Sequence, residues 1–200
     1  MKAKKNIHAK ALLLLSFVCM LYACKKDDKD VSIPANSNDQ ELITTVRLVV
    51  STDASPTDVK YFSYRDIDGD GGTAPKLDTI KLLENTTYTV RVLLLDETKT
   101  PIDTISNDIE ATEKDAHQFF YSKLGMYDLT TTYLDFDDNS VPVGLRISIN
   151  TGAGFTTKAN KYKVVLKHQP GLKPKTGNGN ANLGETDVEV DFPILIQGIQ

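Results

Sequence analysis

Tryptophan is absent, and both cysteines, Cys19 and Cys24, fall within the first 24 of 200 residues. The residues that follow cannot build a disulfide framework, so an apolar core has to hold them. There is no basic excess either: 23 Lys and Arg stand against 27 Asp and Glu, a formal net charge of −4. That balance excludes a nucleic-acid binder, whose affinity comes from cations replacing phosphate counterions. No apolar run after residue 23 is long enough to cross a bilayer, which excludes a polytopic membrane protein. No serine sits in a nucleophile-elbow pattern, and the glycines lack the strand–glycine–helix context and lysine of a phosphate loop. With the only later cysteine at the anchor, a non-enzymatic protein is expected.

The N-terminus states the compartment. Lys2, Lys4, Lys5 and Lys10 precede an apolar stretch, 11–23, too short to span as a helix, which is the pattern of a signal peptide. Its end, Leu21-Tyr22-Ala23-Cys24, resembles the bacterial lipobox, so Cys24 is expected to be acylated and to become the first mature residue. Each buried methylene of the acyl chains contributes roughly 0.8 kcal/mol, enough for stable attachment when two or three chains insert. Lys25-Lys26-Asp27-Asp28-Lys29-Asp30 and the polar stretch beyond it read as a solvated tether. A lysine followed by acids just after the lipidated cysteine resembles the export signal of surface lipoproteins in the Bacteroidetes group. That resemblance implies attachment to the outer membrane and display at the cell surface, with a periplasm-facing orientation as the alternative. Three segments follow: signal peptide 1–23, lipidated Cys24 and tether 24–38, and one domain 39–200. Loss of the signal removes four lysines and no acid, taking the net charge to −8.

From Glu41 onward the dominant pattern is alternation, the period of a strand with one buried face. In the C-terminal run Val188, Val190, Phe192, Ile194 and Ile196 share a face, and Asp187, Glu189 and Asp191 take the other. Pro193 places that strand at an edge, or the proline where no ladder bond is needed. Similar alternation covers 42–50, 59–65, 87–95, 126–136, 144–150 and 161–168, with weaker runs at 77–83 and 117–121. Helical periodicity is nearly missing. About nine strands without helical crossovers predict a single antiparallel immunoglobulin-like β-sandwich. Leu82-Leu83-Glu84-Asn85-Thr86-Thr87-Tyr88-Thr89-Val90-Arg91-Val92 resembles the strand-entry segment of fibronectin type III domains, which implies that the Tyr88 hydroxyl bonds back to the preceding corner. Tyr88, Val90, Val92 and Leu94 are expected on one buried face.

Two acidic turns carry recognisable chemistry. Asp66-Ile67-Asp68-Gly69-Asp70-Gly71 matches the opening of a calcium loop, with oxygens at alternate positions before a glycine, but position twelve is Leu77 and no helix flanks it. Asp135-Phe136-Asp137-Asp138-Asn139 repeats the spacing at the end of another strand. If the turns meet at one end of the sandwich, Asp66, Asp68, Asp70, Asp135, Asp137 and Asn139 surround a structural calcium; otherwise they are solvated turns, the commoner use of such residues. His117 and His168 are each followed by glutamine and fall at the rim of the core by alternation. A transition-metal site there needs both histidines to converge with Glu113 or Asp115, and no zinc site is expected. The segment 169–180 is the longest without structure and reads as a basic, mobile loop, a binding element or a connector.

Glu41 to Val46, Asp66 to Gly72, His117 to Tyr121 and Leu166 to Gly171 resemble an uncharacterised family of short Bacteroidetes (Bacteroidota) surface lipoproteins. Some of those relatives carry a periplasmic-binding-fold label, and the alternating strands and helices it implies are not found in this pattern. The expected function is a non-enzymatic ligand-binding or accessory module of an outer-membrane uptake system, with a receptor or another surface protein as partner. A structural or adhesive surface module is the alternative, and a periplasmic solute-binding protein the third. Cys24→Ser is expected to take up no palmitate and to leave the membrane fraction on detergent partitioning; unchanged labelling refutes the anchor.

Overall fold

Alternate apolar residues can be buried together only if strands stack into sheets and two sheets face each other, and this chain does so. The structure is a computed structural model and describes residues 42–52, 54–69, 71–154 and 160–198. The signal peptide, Cys24, the tether and Asp70 lie outside the described residues. The elements are β1 (Thr45–Thr52), β2 (Ser55–Arg65), β3 (Lys76–Leu77), β4 (Ile80–Leu83), β5 (Thr87–Leu95), α1 (Ile105–Ala111), β6 (His117–Leu124), β7 (Leu129–Tyr133), β8 (Arg146–Thr151), β9 (Lys161–His168) and β10 (Glu185–Gln197). They form a six-stranded sheet, β3-β2-β1-β5-β8-β7, and a four-stranded one, β4-β10-β9-β6. The fold is an all-β sandwich.

The expected faces are the observed ones. Val46, Leu48 and Val50 of β1, Tyr88, Val90, Val92 and Leu94 of β5, and Val190, Phe192, Ile194 and Ile196 of β10 are buried in one core with Tyr162, Val164 and Leu166 of β9. The weak run at 77–83 splits into β3 and β4, because the chain leaves the six-stranded sheet at Leu77 and joins the other at Ile80. That crossing makes β4 parallel to β10, the single departure from antiparallel pairing among the described strands. β10 lies inside its sheet. Its proline is accommodated because Ile194 N–H donates to the Asn160 carbonyl at 3.1 Å, so Pro193 holds the alternate register and its nitrogen faces away from β9. On the other side the β4 ladder begins only at Ile194.

The one helix among the described residues was not foreseen. Its seven residues bury Ile105, Ser106 and Ile109, a single i, i+4 apolar pair that is too short to stand out as a period. Tyr88 bonds back to its corner: its hydroxyl accepts the Leu83 N–H at 2.7 Å.

The two long sides of the sandwich are closed differently. Along β6 and β7, Tyr133 donates to the Phe119 carbonyl at 2.9 Å, Tyr121 to the Gly144 carbonyl at 2.5 Å, and Thr131 shares a 2.8 Å bond with Tyr162. These bonds tie the sheets together and leave the phenols in apolar surroundings. Burial raises Tyr121 well above the usual phenol range and pushes Tyr133 up to about 12. The opposite side, between β2 and β4, has no such seam among the described residues.

Candidate functional site

Strand direction decides where the long connections go. β5 and β7 run toward the same end of the six-stranded sheet, since both pair antiparallel with β8, and they deliver the connections 96–116 and 134–145 there. At the opposite end Glu84 N–H donates to the Gln197 carbonyl and Asn85 N–H to the Gly152 carbonyl, which places the ends of β4 and β10 there and the connection 169–184 with the other two. The chain also enters at this loop-bearing end, where the backbone N–H and the hydroxyl of Thr44 each reach the Leu95 carbonyl at 3.0 Å. By contrast, the connections 84–86 and 125–128 at the far end are short.

One ion pair joins the three long connections. Lys173 Nζ lies 2.9 Å from Asp137 Oδ2, with both side chains only 2% exposed, and it donates to the Lys114 carbonyl at 2.5 Å. The other oxygen of Asp137 accepts the N–H groups of Asn139 and Val141, each at 2.9 Å. Burial depresses Lys173 below the ordinary lysine range, and the facing carboxylate works against that. The segment 169–180 is therefore no basic streamer: its lysine at 173 is an internal strut. Gln169 and Gln118, both fully buried, hold the rest of it. Gln169 Nε2 donates to the carbonyls of Asn180 (2.7 Å) and Leu183 (2.9 Å), and Gln118 Nε2 to that of Asn178 (2.9 Å). Gly184, with φ +69°, closes the loop against β9, where a Cβ would collide with the His168 carbonyl oxygen.

The repeated His-Gln pair has a structural meaning. β6 and β9 align His117 directly with His168, and the rings stack at 4.6 Å between centroids and 13° between planes. A metal has to lie in the plane of each imidazole it binds, and two nearly parallel stacked rings offer no shared point of that kind. Around them stand Glu113, 3.5 Å from His117 Nδ1, and Asp187, 3.7 Å from Nε2. Burial pushes His117 down to about 4 and Asp187 up to about 6, in the latter case against the pull of His168.

Of the six oxygen donors read from the sequence, the five described ones do not come together. Asp66 and Asp68 follow β2, while Asp135, Asp137 and Asn139 follow β7; both turns lie at the loop-bearing end, but β1, β5 and β8 stand between them. Asp70 is outside the described residues. Each carboxylate already has partners. Asp66 accepts the Gly69 N–H at 3.0 Å and Asp68 the Thr73 N–H at 2.8 Å, the contact that holds Asp68 below its usual range. Asp135 accepts the N–H groups of Gly144, Leu145 and Arg146 at 2.9 to 3.1 Å, although burial outweighs these bonds and raises it. Among the described residues no group of three or more His, Cys, Asp or Glu is arranged to hold a metal.

What the clamped loops present outward is mixed. A shallow recess of about 350 Å³ is lined by Glu110, Lys114, Leu134, Phe136, Val143 and Arg146, and a neighbouring one of about 280 Å³ by Lys114, Asp115, Asp138 and Asn139. Phe136 is 48% exposed, and Ile102, Leu134 and Leu172 are exposed with it. Rings and aliphatic groups within a charged rim suit contact with a ligand or partner surface. Comparison of the chain with family models, with curated proteins and with solved structures finds no match.

Lys173→Met is expected to cost about 3–5 kcal/mol, because it strands a buried carboxylate. Adding Asp137→Asn is expected to recover part of that, as read by urea unfolding. The His117–Asp187 corner makes a second expectation. Asp187 holds its proton more tightly folded than unfolded, so its contribution is present at pH 4 and is lost as the pH rises through about 6; His117, depressed by burial, acts in the opposite sense between pH 6.5 and about 4. The stability of the wild type relative to Asp187→Asn should therefore improve by roughly 2–3 kcal/mol from pH 7 to pH 4. A pH-independent difference in urea unfolding contradicts it.

Proposed function

We propose that this chain is an outer-membrane lipoprotein, anchored through Cys24 and displayed at the cell surface, whose sandwich serves as a non-enzymatic binding or accessory module of an outer-membrane uptake system. The observation that carries this reading is the placement of three long connections at one end, locked by Lys173 and Asp137 and presenting Phe136, Leu134, Leu172 and Ile102 to solvent. Recognition residues belong on loops that a rigid scaffold holds still, and ordering them in advance lowers the entropic cost of binding.

The same end receives the chain from the anchor. Seventeen residues, 25–41, separate the lipidated position from Leu42, a reach of at most about 65 Å when fully drawn out. The loops thus stay within reach of a membrane-embedded partner, as an accessory module requires. A structural or adhesive surface module is the second reading. The open side between β2 and β4 favours it, because unpaired strand edges invite neighbours.

Photo-crosslinking in the native membrane separates the two. A crosslinker replacing Phe136 is expected to capture an integral outer-membrane protein, while one replacing Met126, exposed at the far end, captures none. Equal capture from both positions, or capture at neither, overturns the accessory reading.

A further inference from the structure

Between β2 and β4 the sandwich presents two strand edges to one recess of about 460 Å³, lined by Lys60, Tyr61, Phe62, Lys81, Leu82, Leu83 and Gln197. Backbone direction on each edge follows from its neighbours. Ser63 N–H donates to the Asp78 carboxylate at 2.8 Å and its carbonyl accepts the Asp78 N–H at 2.9 Å, so Ser63 faces away from β1. By the two-residue period of a strand, Tyr61 faces the same way. On β4, the Leu83 N–H reaches the Tyr88 hydroxyl and its carbonyl accepts the Thr151 hydroxyl, whereas Glu84 N–H turns to Gln197 of β10. Lys81 therefore also directs its N–H and carbonyl away from β10. β3 covers β2 only at Tyr64 and Arg65. Among the described residues, the recess thus has a free backbone donor and acceptor on each wall.

Its side chains have one sign of charge. Lys60 and Lys81 are exposed, and neither is in an ion pair among the described residues. No acid lines the recess; nearby Glu84 is held on the Gly154 N–H at 2.7 Å, and Asp58 lies two residues before Lys60. The Tyr61 ring is 59% exposed, and Leu83 is exposed beside it. In a domain whose mature net charge is −8, two unpaired lysines converging on open strand edges are a local exception.

We propose that this side is a strand-docking site for an extended acidic peptide segment of a partner protein. The backbone of that segment pairs with the free edges at Tyr61 and Lys81, acidic side chains on its two faces meet Lys60 and Lys81, and apolar ones lie on Tyr61 and Leu83. The site is separate from the loop-bearing end and does not depend on the accessory reading.

The probe is a synthetic peptide of Glu-Glu-Val-Val repeats, which carries acids on both faces, titrated into the full chain in detergent and followed by calorimetry. Binding is expected to weaken about tenfold between about 50 and about 300 mM salt, and about tenfold or more in the doubly substituted Lys60→Glu, Lys81→Glu chain. A peptide in which central valines become proline should also lose about tenfold, since proline removes the pairing N–H. A Lys–Val peptide should not bind. Equal binding of the Lys–Val or proline peptide, or insensitivity to the double substitution in a chain with unchanged unfolding, overturns the proposal. So does binding that appears only after deletion of 25–41, which would assign the recess to the chain's own N-terminal segment. A dimer that dissociates on the double substitution would assign it to a second copy.

Discussion

A buried ion pair is what makes the loop-bearing end a surface with a definite shape. Lys173 and Asp137 come from connections far apart in sequence, and the lysine also holds the Lys114 carbonyl after α1. Two charges taken out of water are tolerated only when each finds several partners, and here the carboxylate has two backbone N–H groups besides the ammonium. With no cysteine among the described residues, this pair and the two buried glutamines do the work a disulfide does in other loop-rich domains. They act by geometry, not by chain topology, so their effect is local and falls on the loops and not on the sheets beneath.

The acidic turns follow the same logic. Asp66, Asp68 and Asp137 accept backbone N–H groups of the turn that follows, and Asp135 those of Gly144, Leu145 and Arg146 at the entry to β8, which satisfies donors that would otherwise be lost at a strand end. Alternate oxygens before a tight turn are shared by metal loops and by self-capped turns. Whether such oxygens converge depends on which strands lie between them, and three lie between these two turns.

The sandwich is also asymmetric from side to side. Tyrosine hydroxyls bridge the sheets along β6 and β7, where an aromatic body fits the core and its polar tip meets a backbone carbonyl. No equivalent bridges β2 to β4 among the described residues, and there the edges end in lysines. One side is thereby sealed and the other left available, and the loop-bearing end is distinct from both.

The amino-acid sequence by itself determined the strands and their faces. β5 and β9 coincide with the predicted runs, and the buried set from Tyr88 to Leu94 and from Val190 to Ile196 follows directly from a period of two, which is a local property of the pleat. The back-bond of Tyr88 was expected from the resemblance of its segment to fibronectin type III strand entries, and it spans five residues. Only the tertiary structure decided the parallel placement of β4, the burial of Lys173, the partners of Gln118 and Gln169, and the separation of the two acidic turns. Each depends on contacts between residues distant along the chain, and a lysine in a Gly- and Pro-rich stretch looks solvated until another strand brings it a carboxylate. The repeated His-Gln pair was the one visible trace of that end, and its meaning came only from the register that sets His117 opposite His168.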